Sequence, residues 1–121
     1  MTTVLVVDDS PTMRAMIVET ILSLGLEVTE AGDGIEAQAK VSQTVPDLIV
    51  LDVVMPRMNG YEFCRWVKNE PASQNVPVIM CSTKGEPFDI HWGKKQGVDA
   101  YITKPFNPDD LIAKIKELLT R

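Results

Sequence analysis

The chain has 121 residues, 45% of them hydrophobic and 24% charged. That is enough to bury a core without disulfide or metal staples, and too apolar for a disordered chain. With 12 Lys and Arg against 17 Asp and Glu the formal net charge is −5, so nucleic acid and anionic membrane surfaces repel the chain and are not expected partners.

The opening residues, MTTVLVVDDSP, reach a pair of acids after one short apolar run, and a secretory leader needs a basic start and a longer one. No run approaches the ~20 apolar residues of a membrane span. A single cytoplasmic domain over residues 1–121 is expected. Val4-Leu5-Val6-Val7 reads as a strand buried on both faces. Pro11 then opens a helix, with Met13, Met16, Ile17, Ile21 and Leu24 at helical spacing and Gly25 closing it. Glu27 to Glu30 is a short second strand. Asp33-Gly34 turns into a weak helix, Ile35 to Gln43. Leu48-Ile49-Val50-Leu51 is a second buried run and stops at Asp52.

After the loop VVMPRMNG, a helix runs from Tyr61 to Lys68 with Phe63, Trp66 and Val67 on one face. Glu70 to Val76 is a loop. Val78-Ile79-Met80-Cys81 is the third buried run and leads into Ser82-Thr83. Pro87 opens a helix that Gly97 closes. Ala100-Tyr101-Ile102 forms the last strand, up to Thr103-Lys104-Pro105. Pro108 starts a C-terminal helix with Leu111, Ile112, Ile115, Leu118 and Leu119 in one stripe. Five such β-α units imply an α/β fold, a parallel sheet with helices on both faces. Cys64 and Cys81 sit inside apolar runs and read as buried, reduced thiols.

In open sheets of this kind chemistry gathers beyond the carboxyl ends of the strands. Here those ends carry Asp8 and Asp9, Asp52, Ser82 and Lys104. Three carboxylates so close repel one another unless a cation neutralises them. Mg²⁺ (or Mn²⁺) suits one or two carboxylates with waters and phosphate oxygens. A metal, a lysine and a hydroxyl together suit a phosphoryl group, and a carboxylate can accept one as an acyl phosphate. Asp52 stands alone at a middle strand and is the natural nucleophile. The paired Asp8 and Asp9 suit the metal. Any single acid here could be a helix cap or a solvated loop residue; the set at four strand ends is not explained that way.

The blocks VLVVDDSP, PDLIVLDVVMPRMNGYEF, PVIMCST and DAYITKPF resemble the four motif blocks of the response-regulator receiver domain of two-component systems, over the whole chain and in order. The resemblance implies a flavodoxin-like (βα)5 fold with strand order 2-1-3-4-5. It implies Asp52 as phosphoacceptor, Asp8 and Asp9 as the metal pocket with Asp9 the more direct ligand, and the Val54 backbone carbonyl as a further ligand. It also implies Ser82 as switch hydroxyl, Lys104 as phosphoryl partner, Tyr101 as aromatic switch residue, and a Lys104-Pro105 bond that is often cis. The implied partners are a histidine kinase as donor and an effector protein that docks on the fourth helix, fifth strand and fifth helix. Ser82 stands where Thr is commoner, and Val54 is apolar at a position that influences the hydrolytic water.

The WGKKQG stretch is similar to receivers of the chemotaxis-like systems that control type IV pili, so a role in motility or taxis is expected. His91 lies mid-helix next to Trp92 and is not expected to relay phosphoryl groups. Trp92 is open to two readings, a ring half-buried at the sheet edge or a partner-binding anchor, with Ile90 as a further surface candidate. Lys94-Lys95 reads as a solvated helix end. Met55 and Met58 flank the Asp52 loop and are candidates for exposure. Two rival functions compete with the switch. One is a docking module that ignores phosphorylation. The other is an aspartyl-phosphate phosphatase of the haloacid-dehalogenase type, whose DxDx[TV] motif on the first strand is matched here only by DDSPT.

Overall fold

The computed structural model describes residues 2–120. Its elements follow in chain order: β1 (Thr3–Val7), α1 (Pro11–Leu22), β2 (Glu27–Ala31), α2 (Gly34–Gln43), β3 (Leu48–Leu51), α3 (Gly60–Asn69), β4 (Val78–Ser82), α4 (Pro87–Lys95), β5 (Ala100–Thr103) and α5 (Pro108–Leu119). The five strands are parallel, in the order β2-β1-β3-β4-β5. The flavodoxin-like order implied by the family resemblance is the observed one.

The continuous apolar runs are the three inner strands, each covered on both faces. Side chains alternate between the faces. Leu5, Val7, Ile49, Leu51, Val78 and Met80 pack with Phe63 and Val67 of α3 and Ala37 and Val41 of α2. Val4, Val6, Leu48, Val50, Ile79 and Cys81 pack on the other side with Ile17 and Ile21 of α1 and Leu111 and Ile115 of α5.

Local signals set the helix ends. Ser10 caps α1 by accepting from the Met13 N–H, ahead of Pro11. Asn59 and Glu62 form a reciprocal capping box on α3. Gly25 and Gly97 leave α1 and α4 with positive φ, 77° and 101°, as helix exits that favour glycine do.

Three expectations change. Met16 is 52% exposed, because it stands one residue off the Met13-Ile17-Ile21-Leu24 stripe and so about 100° round the helix. Met55 is buried, and Met58 is half-buried with its side chain against Gly34. Both fold the Asp52 loop down onto the core rather than presenting it.

Candidate functional site

The β1–α1, β3–α3, β4–α4 and β5–α5 loops leave the same edge of the sheet, and the parallel register brings their first residues together. Asp8 follows β1, and its N–H donates to the Ala31 carbonyl at the end of β2 (3.1 Å). Asp52 follows β3, and its N–H donates to the Val7 carbonyl (3.0 Å). The Lys104 N–H donates to the Ser82 carbonyl (2.8 Å), which ties the end of β5 to that of β4.

Asp8, Asp9 and Asp52 each offer a carboxylate oxygen, and these oxygens lie within 4.8 Å of one another. Asp8 is buried, Asp52 half-buried and Asp9 exposed. The cluster is therefore open on the Asp9 side. Hard oxygen donors, open to water on one side, fit Mg²⁺, which keeps several of its waters. The Val54 side chain stands 53% exposed two residues beyond Asp52.

The Lys104 ammonium closes the cluster from below. Its Nζ lies 2.6 Å from Asp8 Oδ2 and 3.4 Å from Asp52 Oδ2, with the lysine side chain 6% exposed. Burial by itself would push this amine down. The Asp8 hydrogen bond and the charges of Asp52 and Asp8 outweigh burial, so its pKa is raised. One cation thus faces three carboxylates, and the local charge stays negative. The Lys104-Pro105 peptide bond is cis.

Backbone contacts hold the carboxylates. Asp8 Oδ1 accepts the Ser10 N–H (2.9 Å) and Asp52 Oδ1 accepts the Val53 N–H (2.7 Å). Gly60 lies so close under Asp52 that a Cβ there would stand 2.0 Å from the Asp52 carbonyl oxygen.

Ser82 is fully buried, and its Oγ accepts the Lys84 N–H (3.3 Å). Tyr101 is half-buried on β5. Its ring packs against Gly93 of α4, where a Cβ would sit 3.1 Å from two ring carbons. The Tyr101 hydroxyl donates to the Lys84 carbonyl. Burial first, and then the neighbouring Tyr61, raise the Tyr101 pKa, so the phenol stays protonated. The β4–α4 loop is thereby tied to Ser82 on one side and to Tyr101 on the other.

Ile90 and Trp92 do not come together. Two residues apart on a helix, they point about 160° from each other. Ile90 is half-buried and Trp92 is 40% exposed. His91 is exposed and Lys94-Lys95 is solvated.

Sequence reasoning missed three residues. Phe88 is 73% exposed; its spacing of four from Trp92 was the available signal. Arg14 donates from Nη1 to the Asp8 carbonyl (2.7 Å) and from Nε to Glu30 Oε1 (3.0 Å), bracing the first loop against β2. Arg57 takes a left-handed backbone, φ 67°, and its Nη2 lies 2.5 Å from Asp33 Oδ2. No residue type announces that turn.

A doubly wound sheet with an acidic, lysine-backed pocket at its carboxyl edge defines a class, an α/β protein whose carboxyl edge gathers hard oxygen donors around a buried ammonium. Residues 4–116 match the response regulator receiver domain family, and the chain belongs to that family. It is 42% identical over 113 residues to protein PilG of Pseudomonas aeruginosa, covering 93% of this chain and 84% of that one. A solved structure of a putative response regulator from Chloroflexus aurantiacus superimposes with TM-score 0.96 at 32% identity, over 99% of this chain and 98% of that one. Vibrio cholerae chemotaxis protein CheY4 gives TM-score 0.91 at 37% identity, over 98% of each chain. The chain also matches DNA-binding response regulators such as MtrA of Mycolicibacterium smegmatis, 36% identical over 118 residues; it covers 98% of its own length there and 50% of theirs. Receiver domains act in two-component signalling as switches rather than enzymes, and bind Mg²⁺ at an acidic pocket.

Proposed function

We propose that this chain, as one domain in the cytoplasm, is a phosphorylation switch whose phosphoacceptor is Asp52. An Asp52 carboxylate oxygen attacks the phosphorus of a phosphohistidine on a sensor kinase. The new O–P bond forms as the N–P bond breaks, and the imidazole leaves as the neutral base after taking up a proton. Asp8, Asp9, Asp52 and the Val54 carbonyl would hold Mg²⁺ (or Mn²⁺), which supplies positive charge for the transferring oxygens. Lys104 moves from its carboxylate partners to a phosphoryl oxygen, and the Ser82 hydroxyl donates to another.

The observation that carries this reading is the Lys104 ammonium, 6% exposed, within 3.4 Å of both Asp8 and Asp52. A buried cation in excess acid is prepared for an added anion once a metal balances the cluster. The link onward runs from Ser82 through the Lys84 backbone to Tyr101. A Ser82 drawn toward the phosphoryl group would release the Lys84 N–H and shift the population of loop and Tyr101 conformers. The effector would read that shift on α4, β5 and α5. There Tyr101, Phe106, Asp110 and Lys114 line a groove of about 400 Å³. The likeness to protein PilG and to a chemotaxis protein supports an output in motility or taxis.

The test is phosphoryl uptake. Acetyl phosphate or a labelled histidine kinase, with Mg²⁺, should label the wild type and leave Asp52→Asn unlabelled. Undiminished label in Asp52→Asn would refute the assignment and favour a different acceptor. A wild type that takes no label but still binds an effector would favour the docking module instead.

A further inference from the structure

Phe88 and Trp92 are the two most conspicuous exposed aromatics among the described residues, 73% and 40% exposed. They are four residues apart on α4 and so lie within about 40° of each other. Lys95, three residues beyond Trp92, continues the same stripe. The stripe borders α3. The Tyr61 hydroxyl of α3 reaches the Asp89 carbonyl (3.3 Å), and Arg65 Nη1 donates to Gln96 Oε1 (2.8 Å), which sets the α3-facing row of α4 beside the aromatic pair. Ile90, about 160° away from both aromatics, is on the side turned from them. Gly93, against which the Tyr101 ring of β5 packs, is about 100° from Trp92 and about 140° from Phe88, so the pair does not belong to the face formed with β5.

The same flank is basic. A groove of about 270 Å³ between the ends of α3 and α4 is lined by Arg65, Lys68, Lys95 and Gln96, among others. Lys68 is neutralised by Asp99 at 3.0 Å. Arg65 and Lys95 have no carboxylate within ion-pair distance among the described residues. Lys94 and Lys95 complement the carboxyl end of α4. That accounts for two charges, but not for the Arg65 charge that shares the groove with Lys95 or for two solvated aromatic rings. In a chain of net charge −5, an apolar stripe running into a groove with two cations outside any ion pair, Arg65 and Lys95, is a local reversal.

We propose that the α3–α4 flank is a second docking surface, which takes an acidic segment of another protein anchored by apolar side chains. The apolar anchors pack on Phe88 and Trp92, and the carboxylates that follow reach Lys95 and Arg65. The surface is separate from the phosphoryl pocket, and its test does not depend on the phosphorylation reading.

The probe is a synthetic 14-residue helical peptide without Trp, with Leu at two positions four apart and a run of Glu one turn later. A second peptide has Lys for each Glu, and a third has Ser for each Leu. Amide shifts of the full chain, titrated with peptide to millimolar concentration, should move at Phe88, Trp92, Lys95 and Arg65. The Lys and Ser peptides should bind at least tenfold more weakly. Phe88→Ala with Trp92→Ala should cost at least tenfold, and so should Arg65→Glu with Lys95→Glu. Ile90→Ala should bind as the wild type does, and raised salt should weaken the acidic peptide. Shifts confined to Tyr101, Asp110 and Lys114, equal binding of the Lys peptide, or no shifts at all would overturn the proposal. So would concentration-dependent dimerisation that is abolished by the Phe88/Trp92 double variant, because a second copy would then be the occupant.

Discussion

The lysine that ends β5 and the lysines that end α4 are the same residue type in opposite circumstances. Lys104 is buried and held by two carboxylates. Lys94 and Lys95 are solvated and have no carboxylate partner within ion-pair distance among the described residues. A buried charge is fixed by its partners, and removing one partner strands the others. A solvated charge is free to meet an incoming group at little cost to the fold. The carboxyl edge of the sheet therefore couples stability to chemistry, whereas α4 can change its surface without disturbing the core.

The largest stability effect should come from Lys104→Met. It leaves Asp8 buried beside Asp52 without a counter-charge, and the loss should be about 3 kcal/mol in Mg²⁺-free urea unfolding. Because the folded pKa of Lys104 is raised, its contribution is complete below the ordinary lysine value of 10.5 and fades as pH climbs through the folded value. Mg²⁺ should restore part of the loss by supplying the missing charge. A Lys104→Met protein as stable as the wild type would break the contrast with α4.

Gly60→Ala should come next, at about 2 kcal/mol, since its Cβ must displace the Asp52 carbonyl. It should also weaken Mg²⁺ binding by calorimetry, because that carbonyl sets the position of Asp52. Asp33→Ala removes the α2 cap and the Arg57 pair, and should cost about 1 kcal/mol. The hydrogen bonds from the Glu36 N–H and from Arg57 lower the Asp33 pKa. That contribution is therefore present above about pH 4, near its ordinary value of 3.8, and disappears as pH falls through the lowered value. Lys95→Ala should leave the urea midpoint unchanged within error. A clear loss there would show that the end of α4 is more than a free surface.

The cysteines give a covalent measure of the same divide. Cys64 and Cys81 are buried, and burial pushes their thiols up to about 11 and about 12. Neither should react with a thiol reagent at neutral pH until the chain unfolds, when both should.

The inner strands were legible because burial on both faces leaves an unbroken apolar run, as in Val4 to Val7 and Leu48 to Leu51. The polar residues that ended those runs marked the site, since a parallel sheet delivers every strand end to one edge. The strand order was not legible from periodicity and came with the family resemblance. Phe88 was hidden because exposure on α4 is decided by where α3 and β5 press on it. Only Gly93 of that helix is buried, so its sequence carries little periodic signal. The Arg57–Asp33 latch was hidden because a left-handed arginine has no sequence mark.

The central claim is that one edge gathers a metal pocket, an acceptor and a counter-charge around Asp52. Its most direct measurement is peptide mapping of the wild-type chain after phosphoryl transfer, with the acyl phosphate trapped by borohydride reduction. The account predicts modification at Asp52 alone, present with Mg²⁺ and absent when the metal is chelated. Modification at Asp8 or Asp9, or uptake that ignores the metal, would contradict it.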